Sequence, residues 1–118
     1  MGDWPQAKAL CAYLDLLERE NALPRMILYN VNPADNYVFA TVTGFLQNGE
    51  VPGKIQYGSA CWFLDQKGGI ERQLNALSNT GLLARFVGMV TDSRSFMSFP
   101  RHEYFRRVLC DLLGTEME

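Results

Sequence analysis

The sequence predicts an α/β fold in which one helix is followed by three strand-helix units with parallel strands. Two observations lead to this prediction. Apolar residues recur at helical spacing in four segments, and a short apolar run of strand length precedes each of the last three. Each unit takes about 25 to 30 residues, which is typical of parallel strands joined by crossover helices. We expect residues 1–118 to form a single domain.

The first helix is predicted over residues 4–20, where an apolar stripe alternates with charged residues. Asp3 stands before Pro5, and proline is favoured in the first turn of a helix. Pro24 ends the helix, and residues 25–31 follow as the first strand. This run is apolar on both faces, so we expect a parallel strand covered on two sides.

The first unit continues with a helix over residues 37–45, for which Asp35 is the predicted cap. A loop over residues 49–53 contains two glycines and a proline and separates this helix from the second strand. That strand begins at residues 54–57 and runs toward Trp62.

The second unit ends with a helix over residues 70–81, which follows a glycine-containing bend and has apolar residues at i, i+4 and i+7. Residues 86–90 are the predicted third strand, and residues 91–99 form a serine-rich loop. The last helix begins at Pro100, and Gly114 closes it.

Composition excludes several classes of function. The chain is 47% hydrophobic and 20% charged, which is the balance of an ordinary globular protein. Its formal net charge of -2 gives no attraction for nucleic acid or for an anionic membrane. The apolar runs are far shorter than the ~20 residues that cross a bilayer, and the first residues open no signal peptide. We therefore expect a cytoplasmic location.

The three cysteines, Cys11, Cys61 and Cys110, are odd in number, widely spaced and set among apolar residues. This arrangement favours reduced, buried thiols over a disulfide framework or a zinc site.

Length limits the architecture. A three-stranded parallel sheet leaves two edges open, and a complete eight-unit barrel typically needs about 250 residues. A chain of 118 residues is therefore either an arc of a larger α/β structure or a small open sheet. An open arc can bury its edges by forming a homo-oligomer, as a non-catalytic half-barrel interaction module would.

Candidate chemistry lies where ligands bind in parallel α/β folds, at the carboxyl ends of strands. Asp92 follows the third predicted strand and Arg94 stands two residues later. A carboxylate there can bind a divalent metal or accept a proton, and a guanidinium can grip a substrate carboxylate. The alternative is a capped turn with a local salt bridge.

Other residues favour structural roles. Trp62 and Phe63 could wall a pocket, although packing under the adjacent helix is the favoured interpretation. His102 has no second ligand at metal-binding spacing, which indicates a solvated or capping histidine. Gly68 and Gly69 are interpreted as a turn, because no phosphate-loop pattern surrounds them. A basic cluster, Arg101, Arg106 and Arg107, is interpreted as a solvated face with partners within the helix.

Residues 23–114 resemble the C-terminal region of uronate (glucuronate) isomerases. The likeness rests on short motifs in a preserved order: Ile27-Leu28-Tyr29, Asn32-Pro33, Asp35-Asn36, Gly58-Ser59, Trp62-Phe63, Asp65-Gln66-Lys67, Arg72-Gln73-Leu74, the run from Phe86 to Phe96, and the run from Arg101 to Arg107. The Thr-Asp-Ser-Arg-Ser segment at 91–95 is its strongest part.

The resemblance implies the last three units of a distorted (β/α)8 TIM-type barrel of the amidohydrolase superfamily. It implies that Asp92 is a metal ligand and a participant in proton transfer, that Arg94 contacts the substrate, and that Trp62 lines the substrate site. The implied reactions interconvert D-glucuronate with D-fructuronate and D-galacturonate with D-tagaturonate. The implied cofactor is a divalent metal, zinc first and manganese second, with most ligands outside this chain.

The sequence departs from the family pattern in two ways. Cys61 stands where the family usually has a second tryptophan. The family's His-x-His metal ligands belong to sequence absent from this chain, and His102 does not replace them. We therefore expect the chain alone to be inactive and to need a complementing N-terminal part. A different metal hydrolase of the same superfamily is a further alternative.

Overall fold

The computed structural model describes residues 4–90 and 92–117. These residues form four α-helices and two short strands. In chain order they are α1 (Gln6–Arg19), β1 (Met26–Leu28), α2 (Asn36–Phe45), β2 (Ile55–Tyr57), α3 (Lys67–Thr80) and α4 (Pro100–Met117). Single 3-10 turns lie between them at Pro33–Asp35, Trp62–Leu64, Leu83–Arg85 and Phe96–Ser98.

The two strands pair in parallel, as the sequence predicts. Met26 is opposite Ile55 and Leu28 is opposite Tyr57. The ladder extends by one bond at its far end, where Gly58 N–H donates to the Leu28 carbonyl over 2.8 Å. Helix α2 connects the strands, so the first two strand-helix units are confirmed as a crossover connection.

The predicted third strand at residues 86–90 is wrong. Phe86 follows a 3-10 turn, Gly88 has a positive φ of 86°, and the segment joins no ladder among the described residues. A left-handed glycine in the middle of the run turns the chain, which prevents continuous pairing with β2. Phe86 instead packs against Phe105 of α4, with ring centroids 6.1 Å apart.

The predicted helices are confirmed, with changes at their ends. Asp3 lies outside the described residues, and α1 begins after Pro5. Asp35 occupies the cap position of α2, but its side chain makes no capping hydrogen bond. Its carboxylate instead accepts from Gln6 Nε2 at 3.4 Å. A capping hydrogen bond forms one turn earlier, at the 3-10 turn Pro33–Asp35, where Asn32 Oδ1 accepts from Ala34 N–H.

The glycines of α3 and α4 do not mark the predicted boundaries. Helix α3 begins at Lys67, so Gly68 and Gly69 lie in its first turn rather than in a bend. Helix α4 begins at Pro100 as predicted but continues through Gly114 to Met117. Gly114 does not take the left-handed conformation that ends helices, and a glycine inside a helix costs only about 1 kcal/mol.

Two apolar clusters form the core. The first lies between the sheet and helices α1, α2 and α3, and it includes Leu14, Leu28, Phe39, Ile55 and Tyr57. The second lies between α3 and α4. Its members are Ala60, Leu64, Ile70, Leu74, Phe105 and Val108. Helix α3 contributes to both clusters and therefore joins the two halves of the chain.

One face of the sheet is open in this chain. Ile27 is 42% exposed and Tyr29 is 40% exposed, so the prediction of a strand covered on two sides is wrong for these residues. The cysteines are unpaired as predicted, but Cys11 and Cys110 are exposed and Cys61 is half-buried, so the predicted burial is wrong.

Gln47 joins the end of α2 to the second strand. Its Nε2 donates to the carbonyls of Thr43, at 2.9 Å, and Ile55, at 2.6 Å. The side chain thereby fixes both ends of the loop over residues 48–53. No helix within the described ranges 4–90 and 92–117 is long and apolar enough to cross a membrane.

Candidate active site

The carboxyl ends of β1 and β2 meet at one edge of the sheet because the strands are parallel. Asn30 follows β1, and Ser59 and Cys61 follow β2. The segment before Asp92 reaches the same edge, since Val90 N–H lies 3.5 Å from Ser59 Oγ. Three separate segments therefore converge where ligands bind in parallel α/β folds.

A buried polar cluster of Asn30, Asn36 and Tyr57 lies beneath this edge, and we call it the amide-tyrosine cluster. Tyr57 Oη lies 2.6 Å from Asn30 Oδ1 and 3.1 Å from Asn36 Oδ1. Asn30 Nδ2 donates to Asn36 Oδ1 at 2.7 Å and to the Asn32 carbonyl at 2.7 Å. The cluster ties the end of β1 to the start of α2 and to the end of β2.

Sequence reasoning missed this cluster. Asn30 is a polar residue within an apolar run, which is the signal that could have revealed a buried hydrogen-bonded side chain. The contribution of Asn36 and Tyr57 depends on tertiary contacts. Tyr57 lies 27 positions after Asn30 and 21 positions after Asn36 in the chain.

Burial raises the pKa of Tyr57 far above its ordinary value of 10.0, and the hydrogen bond with Asn30 opposes this shift only in part. The folded chain therefore keeps the Tyr57 proton at a pH where the unfolded chain loses it. Because the folded state then binds more protons, its stability falls as the pH rises above about 10.

Substituting Tyr57 by phenylalanine is expected to make the free energy of unfolding decline less steeply above about pH 10, because the buried hydroxyl is gone. At about pH 8 the variant should lose roughly 1–3 kcal/mol, since the buried amide oxygen of Asn30 loses its donor. Urea denaturation followed by circular dichroism at several pH values measures both effects. Tyr104→Phe, at an exposed ring on α4, is the matched control. An equally steep alkaline decline in Tyr57→Phe would contradict the prediction.

Cys61 links the amide-tyrosine cluster to Asp92. Its Sγ lies 3.9 Å from the Asn30 carbonyl oxygen. The pKa of the Cys61 thiol is raised by burial first and then by the negative charge of Asp92.

Two of the predicted site residues have left-handed backbone conformations. Trp62 has φ 54° and Asp92 has φ 46°. Aspartate tolerates this region, whereas for a bulky residue such as tryptophan it is a rare conformation that costs about 1–2 kcal/mol. Such outliers cluster at functional sites.

The interpretation that Trp62 and Phe63 pack in the core is wrong. Trp62 is 65% exposed and Phe63 is also exposed. The two rings begin a 3-10 turn that directs Leu64, the third residue of the turn, into the core. Trp62 therefore presents its ring beside the end of β2, where a ligand could reach it.

Arg94 is exposed in the loop that follows Asp92. Within residues 4–90 and 92–117 no ion pair joins Asp92 to Arg94, so the alternative of a local salt bridge is not observed. Thr91, which precedes Asp92, lies outside the described residues.

The basic residues of α4 have different surroundings. Arg107 pairs with Glu103 one turn earlier at 2.7 Å, which confirms a partner within the helix. His102 is exposed as predicted. Arg101 is different, because it forms an ion pair with Asp65 outside α4, and the interpretation of a partner within the helix is wrong for it.

The described part of the chain contains no group of three histidine, cysteine, aspartate or glutamate residues able to hold a metal ion. A divalent cation usually takes at least three protein ligands in a catalytic site. Asp92 can supply one oxygen ligand, but the described residues do not form a complete metal site.

A cavity of about 290 Å³ lies near the other end of the sheet. Its walls are largely apolar and include Ile55, Leu77, Leu82 and Phe86. Asp92, Arg94 and Trp62 do not line it. We place the candidate site at the carboxyl edge, because the charged and polar groups converge there rather than around this cavity.

These features define an α/β protein whose candidate site lies at the carboxyl ends of parallel strands. A family model described as glucuronate isomerase matches residues 1–118. The chain belongs to the glucuronate isomerase family.

Relatives and a solved structure agree with this membership. The chain is 65% identical to the uronate isomerase of Opitutus terrae and 64% identical to that of Solibacter usitatus, in each case over the whole chain and 25% of the relative. The crystal structure of uronate isomerase from Thermotoga maritima superimposes with a TM-score of 0.80 at 30% identity, covering 94% of this chain and 23% of that one. The chain thus spans about a quarter of the length of the relatives that it matches.

Proposed function

We propose that this chain supplies one share of the active site of a uronate isomerase. The match of the whole chain to the glucuronate isomerase family carries the proposal. The proposed reactions interconvert D-glucuronate with D-fructuronate and D-galacturonate with D-tagaturonate. Such a reaction moves a proton from carbon 2 to carbon 1 through an enediol, while the hydroxyl proton moves from oxygen 2 to oxygen 1.

The proposed place of this chain is the C-terminal quarter of the enzyme, as an arc of a (β/α)8 barrel. Two parallel strands joined by a crossover helix support a barrel arc, because barrels repeat this unit. The open face at Ile27 and Tyr29 also supports it, since a larger structure would cover those side chains.

Each candidate residue has a role that fits its chemistry. The Asp92 carboxylate accepts a proton from the substrate and returns it, Arg94 holds the uronate carboxylate through paired hydrogen bonds, and Trp62 forms a wall of the site. A divalent cation, zinc or manganese, would polarise substrate oxygens when bound. Asp92 would be this chain's ligand, and the others would come from outside the chain.

The 118-residue chain is expected to show no turnover of D-glucuronate alone, with either zinc or manganese, because one carboxylate cannot hold a catalytic metal. Mixing it with a separately produced polypeptide, the remaining three quarters of the Opitutus terrae enzyme, should restore turnover. The assay follows loss of the aldehyde group of D-glucuronate. The remaining polypeptide by itself is the control.

Robust turnover by the 118 residues alone would overturn the expected inactivity. A stable complex of the two polypeptides without turnover would count against the proposed function. Light scattering after size exclusion addresses the alternative of a half-barrel interaction module. That module predicts a defined oligomer of this chain with a cooperative melting transition, formed without the second polypeptide.

A further inference from the structure

Arg101 connects three segments of the chain. It lies in the first turn of α4, and its Nη2 forms an ion pair with Asp65 Oδ2. Its Nη1 donates to Ser93 Oγ at 3.3 Å. Asp65 follows the turn that contains Trp62, and Ser93 lies between Asp92 and Arg94. One guanidinium therefore bridges the two segments that carry the candidate site residues.

The ion pair differs from the other three that the described residues form. Those pairs join residues four apart within one helix, and at least one side chain of each is more than half exposed. The Asp65 side chain is 14% exposed and that of Arg101 is 37% exposed. Partial burial reduces screening by solvent, so this pair holds its segments together more firmly than exposed helical pairs do.

The loop after Val90 also has local contacts among its described residues, including the Phe96–Phe99 ring pair with centroids 5.7 Å apart. Residues 92–97 are exposed, and the side chain of Ser95 bonds within the loop, where its Oγ accepts from Met97 N–H. Ser93 is a loop residue that Arg101 reaches from outside the loop. The planar guanidinium suits this task because it presents several donors in a fixed geometry to two acceptors at once.

We propose that Arg101 is a positioning residue, which acts with Asp65 and Ser93 to set the loop carrying Asp92 and Arg94 against the turn carrying Trp62. The inference rests on the proposed function only in naming those residues as parts of the site. The position of the loop can be measured without any assay of turnover.

Limited trypsin digestion tests the proposal, because Arg94 lies in the loop and is itself a cleavage site. Arg101→Gln and Asp65→Asn in the 118-residue chain should each raise the rate of cleavage after Arg94 by roughly five- to tenfold, since cleavage follows local opening. Mass spectrometry measures that rate together with the rates after Arg19 and Arg25, which should not change. The double variant should be cleaved no faster than Arg101→Gln, because that change alone already removes the contacts with both Asp65 and Ser93.

Two further variants separate positioning from general stability. Arg107→Gln removes an exposed pair from the same helix and should leave cleavage after Arg94 unchanged. Arg101→Lys keeps the positive charge for Asp65 but loses the fixed geometry that serves two acceptors, so it should restore only part of the protection. Circular dichroism measures whether each variant is folded. If Arg101→Gln does not fold, the cleavage rates of Asp65→Asn and Arg101→Lys after Arg94 test the proposal instead.

Unchanged cleavage after Arg94 in the folded Arg101 or Asp65 variants would overturn the proposal. An equal increase at Arg19, Arg25 and Arg94 would also overturn it, because the pair would then serve only general stability. A chain without isomerase activity can still show the selective effect, so failure of the proposed function and failure of this inference are distinguishable.

Discussion

Replacing Asp92 by asparagine is expected to lower turnover of D-glucuronate by about 10²- to 10⁴-fold in an active enzyme that contains this chain. Asparagine has a similar shape but cannot accept the proton and carries no negative charge. A chimera in which residues 1–118 replace the matching quarter of the Opitutus terrae enzyme provides the test, since the two are 65% identical over that length. Steady-state kinetics measures kcat and KM.

The control for this experiment is Asp111→Asn in the same chimera. Asp111 is an exposed carboxylate on α4 that takes no part in the candidate site, so its loss should leave kcat unchanged. A chimera with Asp92→Asn that retained its full kcat would exclude Asp92 from proton transfer.

Replacing Gly69 by alanine is expected to lower the free energy of unfolding by about 3 kcal/mol, as overpacked core positions do. A Cβ at this position would overlap the Leu64 carbonyl oxygen and lie 2.7 Å from the Leu64 carbonyl carbon. The obstacle is backbone, which cannot turn away as a side chain can. Urea denaturation followed by circular dichroism measures the change.

Gly68→Ala is the matched control in the same turn of α3. Its Cβ would lie 3.4 Å from Gln66 Oε1, which is ordinary contact. We expect a change within about 0.5 kcal/mol, or slight stabilisation from the better helix propensity of alanine. If both variants lost equal stability, close approach of the Leu64 backbone would not be the reason that position 69 is glycine.

The helices were predictable because their signals are local. Ile70, Leu74 and Leu77 recur at helical spacing, and all three are buried on α3. Pro100 begins α4 as predicted, since proline at a helix start needs no partner for its nitrogen. Gly114 misled the prediction of the helix end, because a glycine stops a helix only where the backbone turns left-handed.

Strand pairing was less predictable, because it depends on a neighbouring strand. The apolar run at residues 86–90 has the composition of a strand, but a positive φ at Gly88 turns it away from pairing. Gly88 is the local signal that distinguishes this run from the paired strand of Met26–Leu28, because a glycine inside a strand weakens it.

The position of the segment before Asp92 at the sheet edge was predictable, while the roles of Asp92 and Arg94 stay predictions. The rule that ligands bind at the carboxyl ends of parallel strands identified Asp92 and Arg94 as candidates, and the structure places the segment before Asp92 at that edge of the sheet. The exposure of Trp62 was not predictable, because the sequence does not reveal which residue of a 3-10 turn faces the core. The bridging role of Arg101 required knowledge of how α4 packs beside Asp65.

The Gln47 side chain has a practical consequence for labelling this protein. Its amide holds the last turn of α2 to β2, so these two elements are joined by side-chain hydrogen bonds as well as by the loop between them. Each doubling of a flexible loop costs only about 0.6 kcal/mol. An affinity tag or a fluorescent reporter inserted at the exposed residue Glu50 would therefore extend into solvent and leave the parallel sheet in register.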